Sequence, residues 1–198
     1  MKTVGVLALQ GDFEAHRKAL ERAGARAVEV RTAAALEALD GLVIPGGEST
    51  TMLRLLEDEK LLEPLGRFGR ERPVFGTCAG AILLASEVTG PAQPSLGLMD
   101  ITVERNAYGR QLDSRVVRLV PEPEFASRTA PGELEAVFIR APKIRRVGPR
   151  VRVLLYYDGA PVLVADGRHL AATFHPELGA DPRIHRLFLE RLTRPPDS

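Results

Sequence analysis

Four short runs dominated by apolar side chains, Val4–Leu9, Ala27–Val30, Gly41–Ile44 and Pro73–Phe75, alternate with stretches whose apolar residues fall on one face of a helix. A strand that is apolar on both sides must be covered on both faces, and parallel sheets achieve this by sending helices across between strands. Asp12 stands where a helix N-cap would, ahead of Phe13, His16, Leu20 and Ala23 on one face, and Gly24 supplies the stop. Leu36 and Leu39 mark a short helix. A leucine-rich helix over Met52 to Leu56 and further helical turns over Leu61 to Arg70 follow. The βαβαβαβ order predicts an α/β fold with an open, mostly parallel, doubly wound sheet flanked by helices.

The second half reads differently. Asp100–Arg105 and Ser114–Leu119 alternate polar and apolar residues, the pattern of added antiparallel strands with one wet face. Further strands are predicted over Val137–Ile139, Val151–Tyr156, Val162–Val164 and Leu170–Phe174, with Asp158-Gly159 as a hairpin turn. A last helix spans Arg183 to Leu192, and the tail Pro195-Pro196-Asp197-Ser198 should fray. Val120 to Glu133 reads as a loop or excursion. With no internal repeat and no separating linker, residues 1–198 are read as a single domain.

Charge excludes one class of function. With 27 basic and 26 acidic residues the formal net charge is +1, so no basic footprint for nucleic acid is evident. The short cluster Lys143-Ile144-Arg145-Arg146 is read as a solvated loop. No apolar stretch approaches the roughly 18 residues of a membrane span. The N-terminal apolar run is broken by Gly5 and lacks a small-residue cleavage site, so it is read as a strand, not as a signal peptide. Cys78 is the only cysteine, so no intrachain disulfide can form. A cytoplasmic enzyme or binding domain is expected.

The chemistry concentrates at Gly76-Thr77-Cys78-Ala79-Gly80, between an apolar strand and the helical run Ala81-Ile82-Leu83-Leu84. A nucleophile flanked by small residues at a strand-to-helix turn is presented on a tight, strained backbone. A helix N-terminus there favours thiolate over thiol. Phe174-His175-Pro176-Glu177 follows a strand, so His175 can reach the same sheet edge, and Glu177 can orient its imidazole. The other histidines, His16, His169 and His185, are read as surface or helix-face residues. Gly46-Gly47 ends the third strand. Either it frees backbone N–H groups for an oxyanion, or it is a plain turn before a helix capped by Ser49. No His, Cys or Asp cluster has metal-ligand spacing, and none is expected to bind a metal.

These residues resemble the class I, triad-type glutamine amidotransferases, which share the cysteine elbow and the His-Pro-Glu segment and have a flavodoxin-like fold. Val6–Gly11, Pro45–Met52, Val103–Asn106, Gly109-Arg110-Gln111, Asp113-Ser114 and Phe138–Pro142 sharpen the likeness. Over about residues 2 to 192 the chain is similar to the glutaminase subunits of pyridoxal 5′-phosphate synthases. The resemblance implies Cys78 as nucleophile, His175 as base and acid, and Glu177 as orienting carboxylate. It implies that Gly47, Glu48, Ser49, Arg105, Ile139 and Arg140 bind L-glutamine, that backbone N–H groups of Gly47 and Ala79 hold the oxyanion, and that Gln10 lies toward a synthase subunit. No cofactor is implied for this chain. Segments 120–133 and 143–150 depart from the family pattern. Rival readings are the glutaminase of another pathway, such as imidazole glycerol phosphate synthesis, a silent α/β interaction module, and a cysteine hydrolase of another type.

Overall fold

The computed structural model describes residues 1–107 and 114–193. The resemblance segment Gly109-Arg110-Gln111, Asp113 and the proline-rich tail lie outside the described residues. The central sheet has seven strands: β1 (Thr3–Leu7), β2 (Arg26–Val30), β3 (Gly41–Ile44), β4 (Val74–Thr77), β10 (Arg152–Tyr157), β11 (Ala160–Ala165) and β12 (Leu170–Ala172). Their order is β10-β11-β12-β4-β3-β1-β2. The run from β12 to β2 is parallel, and β11 and β10 extend it antiparallel, as expected of a mostly parallel sheet with antiparallel additions.

In the central parallel strands, side chains alternate between two cores. Leu42, Ile44 and Val74 face a core shared with α2 (Ser49–Asp58), α3 (Leu62–Glu71) and α4 (Ala79–Leu84). Val43 and Phe75 face the opposite core, shared with α1 (Phe13–Arg22) and α6 (Arg183–Arg191). The central strands are therefore buried on both faces, the condition their apolar runs imply. No helix among the described residues is long and apolar enough to cross a membrane.

Two small sheets complete the fold. In one, β5 (Ala85–Thr89) pairs parallel with β6 (Met99–Glu104), which pairs antiparallel with β9 (Lys143–Val147). The basic cluster expected as a solvated loop is thus a strand: Ile144 is buried, Arg146 pairs with Asp100 at 2.6 Å and Arg145 with Glu104. In the other, β7 (Ser114–Leu119) pairs antiparallel with β8 (Leu134–Ile139). Between them, the 120–133 excursion forms a helical turn, α5 (Pro123–Ala126), that sinks Phe125 into the core. Arg183 staples the excursion to α6, donating to the carbonyls of Ala130, Gly132 and Glu133 at 2.6–2.9 Å. The Asp158-Gly159 turn joins β10 to β11, with both residues at positive φ as a primed hairpin turn requires.

Two capping expectations change. Asp12 precedes α1 but makes no side-chain cap bond. At α2 the cap is Glu48, not Ser49: its carboxylate accepts from the N–H groups of Thr50 at 2.9 Å and Thr51 at 2.7 Å. A longer acidic side chain supplies two acceptor oxygens where serine has one.

The elbow glycines are required by close approach. A Cβ on Gly80 would lie 2.0 Å from the carbonyl oxygen of Ile44, where the first turn of α4 packs on the end of β3. Alanine ordinarily beats glycine inside a helix by about 0.5–1 kcal/mol, but here the clash is with backbone that cannot step aside. Gly80→Ala is expected to destabilise the protein by about 3 kcal/mol or more. A urea-unfolding midpoint within error of wild type would contradict this.

Candidate active site

Cys78 sits between β4 and α4 with φ 49° and ψ −106°, a conformation that L side chains rarely adopt. Its N–H donates to the Ala172 carbonyl at 2.8 Å, anchoring the elbow to β12. The side chain is mostly buried, with Sγ 4.0 Å from the carbonyl oxygen of Ile139.

His175 leaves the end of β12, and its N–H is fixed by the Val137 carbonyl of β8 at 2.8 Å. A 3₁₀ turn, Pro176–Leu178, folds Glu177 back under the ring. His175 Nδ1 and Glu177 Oε1 are 2.7 Å apart and buried. An ionised carboxylate only accepts, so Nδ1 carries the proton, and Nε2 is the nitrogen left for the cysteine. Burial pushes the His175 pKa down, but hydrogen bonds to Cys78 and then to Glu177 outweigh it and raise it to about 10. Gly46 makes room for both partners: a Cβ there would lie 2.6 Å from His175 Cε1 and 3.3 Å from Cys78 Cβ.

The loop after β3 borders this pair. Gly47 is exposed at φ +138°, and Glu48 is exposed while Ser49 is buried. Gln10, from the end of β1, packs over Gly47 and donates through Nε2 to the Glu48 carbonyl at 2.6 Å. Ser49 donates to Gln93 at 3.1 Å. Arg105 reaches in from the end of β6: Nη2 is 2.6 Å from Thr50 Oγ1 and 3.6 Å from Glu48 Oε1. Its Nε is buried with no partner among the described residues, leaving an N–H for an incoming anion. Ile139 is half-buried, and Arg140 is exposed at φ +43°. Ala79 is buried as the first residue of α4.

These groups gather where β1 and β3 diverge from neighbouring positions, the switch point at which open α/β sheets bind ligands. Asp12 also arrives here, its carboxylate within 4.8 Å of ligand atoms of His175 and Glu177, a grouping that local spacing does not reveal. His175 already holds Glu177 through Nδ1. A cavity of about 700 Å³ lined by Arg128, Arg150, Arg152 and His169 opens at the other end of the strands, away from Cys78.

Of the three histidines expected at the surface or on a helix face, His16 and His185 do lie on helices, but none is at the surface: His16 and His185 are 0% exposed and His169 is 4%. His16 touches both Glu177 and Thr77. Its signal lay in the helix period, since it sits four residues before Leu20 on the face that α1 buries.

A cysteine on such an elbow, with a His–Glu pair at the carboxyl edge of a parallel sheet, is the arrangement expected of a triad-type amidotransferase. Residues 6–194 match the SNO glutamine amidotransferase family, and the chain belongs to it. Among relatives, the chain is 64% identical to the pyridoxal 5′-phosphate synthase subunit PdxT of Solibacter usitatus, covering 97% of this chain and 100% of that protein. It is 53% identical to the subunit of the same name from Deinococcus radiodurans, covering 94% and 95%. A solved structure described as a glutamine amidotransferase superposes with TM-score 0.85 at 48% identity, covering 96% of this chain and 98% of that one. PurLQS from Thermotoga maritima, at 18% identity and TM-score 0.74 over 98% of this chain and 100% of that one, shares the fold.

Proposed function

We propose that this chain is the glutaminase subunit of a pyridoxal 5′-phosphate synthase, hydrolysing L-glutamine to L-glutamate and ammonia and passing the ammonia to a synthase subunit. The observation that carries the chemistry is the strained Cys78 elbow beside an imidazole hydrogen-bonded to a buried carboxylate. The pathway rests on the names of relatives up to 64% identical over nearly the whole chain.

The Cys78 thiolate adds to the side-chain carboxamide carbon of glutamine. Backbone N–H groups of Gly47 and Ala79 donate to the resulting oxyanion, a contribution of about 3–4 kcal/mol for one such donor. The proton held on His175 passes to the departing nitrogen, and ammonia leaves a γ-glutamyl thioester on Cys78. His175 then takes a proton from water, hydroxide displaces the thiolate, and glutamate is released. Glu177 keeps the imidazole in one tautomer and balances its charge. Arg105, whose Nε has no partner among the described residues, and Arg140 suit the α-carboxylate of glutamine, while Gly47, Glu48, Ser49 and Ile139 line its path.

Near neutral pH free ammonia is mostly protonated and would be lost to solvent, so the enzyme gains from a docked acceptor. Gln10 lies on the side assigned to the synthase subunit. The chain itself needs no coenzyme.

The test is release of ammonia and glutamate from glutamine, with and without a pyridoxal 5′-phosphate synthase subunit. The isolated chain should be a poor glutaminase, stimulated about tenfold or more by the partner, a barrier change of about 1.4 kcal/mol. Equal activity with and without it would sink the partner assignment. Stimulation only by an imidazole glycerol phosphate synthase subunit would transfer the enzyme to that pathway.

A further inference from the structure

Behind Cys78, His175 and Glu177 lies a second set of polar side chains that the hydrolysis scheme leaves unused. His16, from the middle of α1, places Nε2 3.0 Å from Thr77 Oγ1 and 3.2 Å from Glu177 Oε2. Its Nδ1 lies 3.1 Å from His185 Nε2 of α6. All four side chains are buried, and among the described residues Glu177 Oε2 has no well-aligned hydrogen-bond donor.

The protonation pattern follows by exclusion. A bare lone pair on His16 Nε2 would face a carboxylate oxygen at 3.2 Å in a dry interior, which is repulsive, so Nε2 carries the hydrogen. Burial first, then the neighbouring His185 and His175, push the His16 pKa well below its ordinary value, so the ring is neutral and Nδ1 is an acceptor. His185 fills that acceptor with its Nε2–H, leaving its own Nδ1 as a bare lone pair, and that atom is buried without a partner among the described residues. Every N–H in the series therefore points toward Glu177 and Thr77.

Neutrality matters. A charged His16 would compete with His175 for the carboxylate's charge, whereas a neutral donor orients the carboxylate and leaves that charge for the catalytic imidazole. The placement matters equally. Thr77 is the last residue of β4, directly before Cys78, while Glu177 follows β12. His16 touches both from a third element.

We infer that His16 is a positioning residue: its Nε2, oriented by His185, hydrogen-bonds the Thr77 hydroxyl and stands 3.2 Å from the Glu177 carboxylate, and so fixes the His–Glu turn against the strand that bears Cys78. As a role in catalysis this rests on the glutaminase reading.

The test compares wild type with His16→Phe, which keeps a ring but loses the donor, and His16→Gln, whose amide nitrogen can reach the Nε2 position. His169→Gln serves as the control, a buried histidine at the opposite end of the strands. Ammonia release is measured in complex with the synthase subunit, and the pH profile of Cys78 alkylation by iodoacetamide is measured on the chain alone. His16→Phe should lose about 10–100-fold in kcat with KM within about twofold, the pattern of displaced catalytic groups. Its alkylation should slow at neutral pH and rejoin wild type in alkali. His16→Gln should recover most of both, and His169→Gln should keep wild-type kcat.

Wild-type behaviour of His16→Phe would overturn the inference, as would Gln failing to rescue or the control losing as much. If His16→Phe does not fold, Thr77→Val decides the matter: a loss of about threefold or more in kcat at unchanged KM supports the tie, and no loss overturns it. If wild type releases no ammonia from glutamine, the glutaminase reading fails, while the alkylation profiles still decide whether His16 positions the site.

Discussion

Replacing Cys78 by alanine is expected to lower ammonia release from glutamine by about 10⁴-fold or more, because the thioester route disappears with the sulfur. Glycine at the same position should be as inactive, yet more stable than alanine. The φ of 49° and ψ of −106° are strained for any side chain and open to glycine. Such strain costs of order 1–3 kcal/mol, against roughly 0.4–1 kcal/mol that glycine gives back through its freer unfolded chain. At roughly 2–4 °C per kcal/mol for a protein of this size, Cys78→Gly should melt a few degrees above Cys78→Ala. Turnover near wild type in the alanine variant would end the nucleophile assignment. A glycine variant melting below the alanine variant would show that the elbow stores no strain.

The second large effect is on stability in mild acid. Burial drives the pKa of His169 down to about 4, and burial with nearby Arg22 does the same for His185. His16 is held down in the same direction. Below the ordinary value of 6.5 the unfolded chain takes up these protons and the folded chain does not, so stability falls as pH drops from about 6.5 toward 4. A shift of that size is worth about 3 kcal/mol per histidine at the acid limit. Two such groups together, about 6 kcal/mol, match the lower part of the usual 5–15 kcal/mol of total stability. His175 acts oppositely: raised to about 10, its contribution is complete below 6.5 and is lost as pH rises through 10. Carboxylates with lowered pKa, such as Asp40 and Asp181, lose their contribution only in stronger acid. Urea unfolding at about pH 7.5, 6 and 5 should show the midpoint falling steadily, and falling less in His185→Gln. An identical fall in both proteins would show that His185 does not set the acid limb.

Sequence alone carried the parallel sheet and the elbow, because both are written in local pattern. Apolar runs such as Val4–Leu9 and Gly41–Ile44 state double-sided burial, and Gly76 and Gly80 flanking Cys78 state a tight turn. The residues that went astray depend on contacts made from far along the chain. Lys143–Val147 looks like a wet basic loop until β6 supplies Asp100 and Glu104 across from it. β5 follows α4 without a break and carries no alternation to announce it. His16 and His185 do lie on helix faces, but a histidine in a periodic segment gives no sign of which partners await it, and the burial of His169 before β12 left no local trace. The neighbours of His16 come from residues 77, 177 and 185. Glu48 displaced Ser49 as the helix cap because side-chain length, not propensity, decided the geometry.

At the mouth of the site, Gly11 and Gly46 come so close that a Cβ on the first would fall 1.9 Å from the carbonyl oxygen of the second. The exit loops of the first and third strands therefore lean on each other main chain to main chain, with Gln10 bolted across them to Glu48. A molecule that grips residues 9–12 from outside also has leverage on the segment that borders the cysteine, without ever touching it.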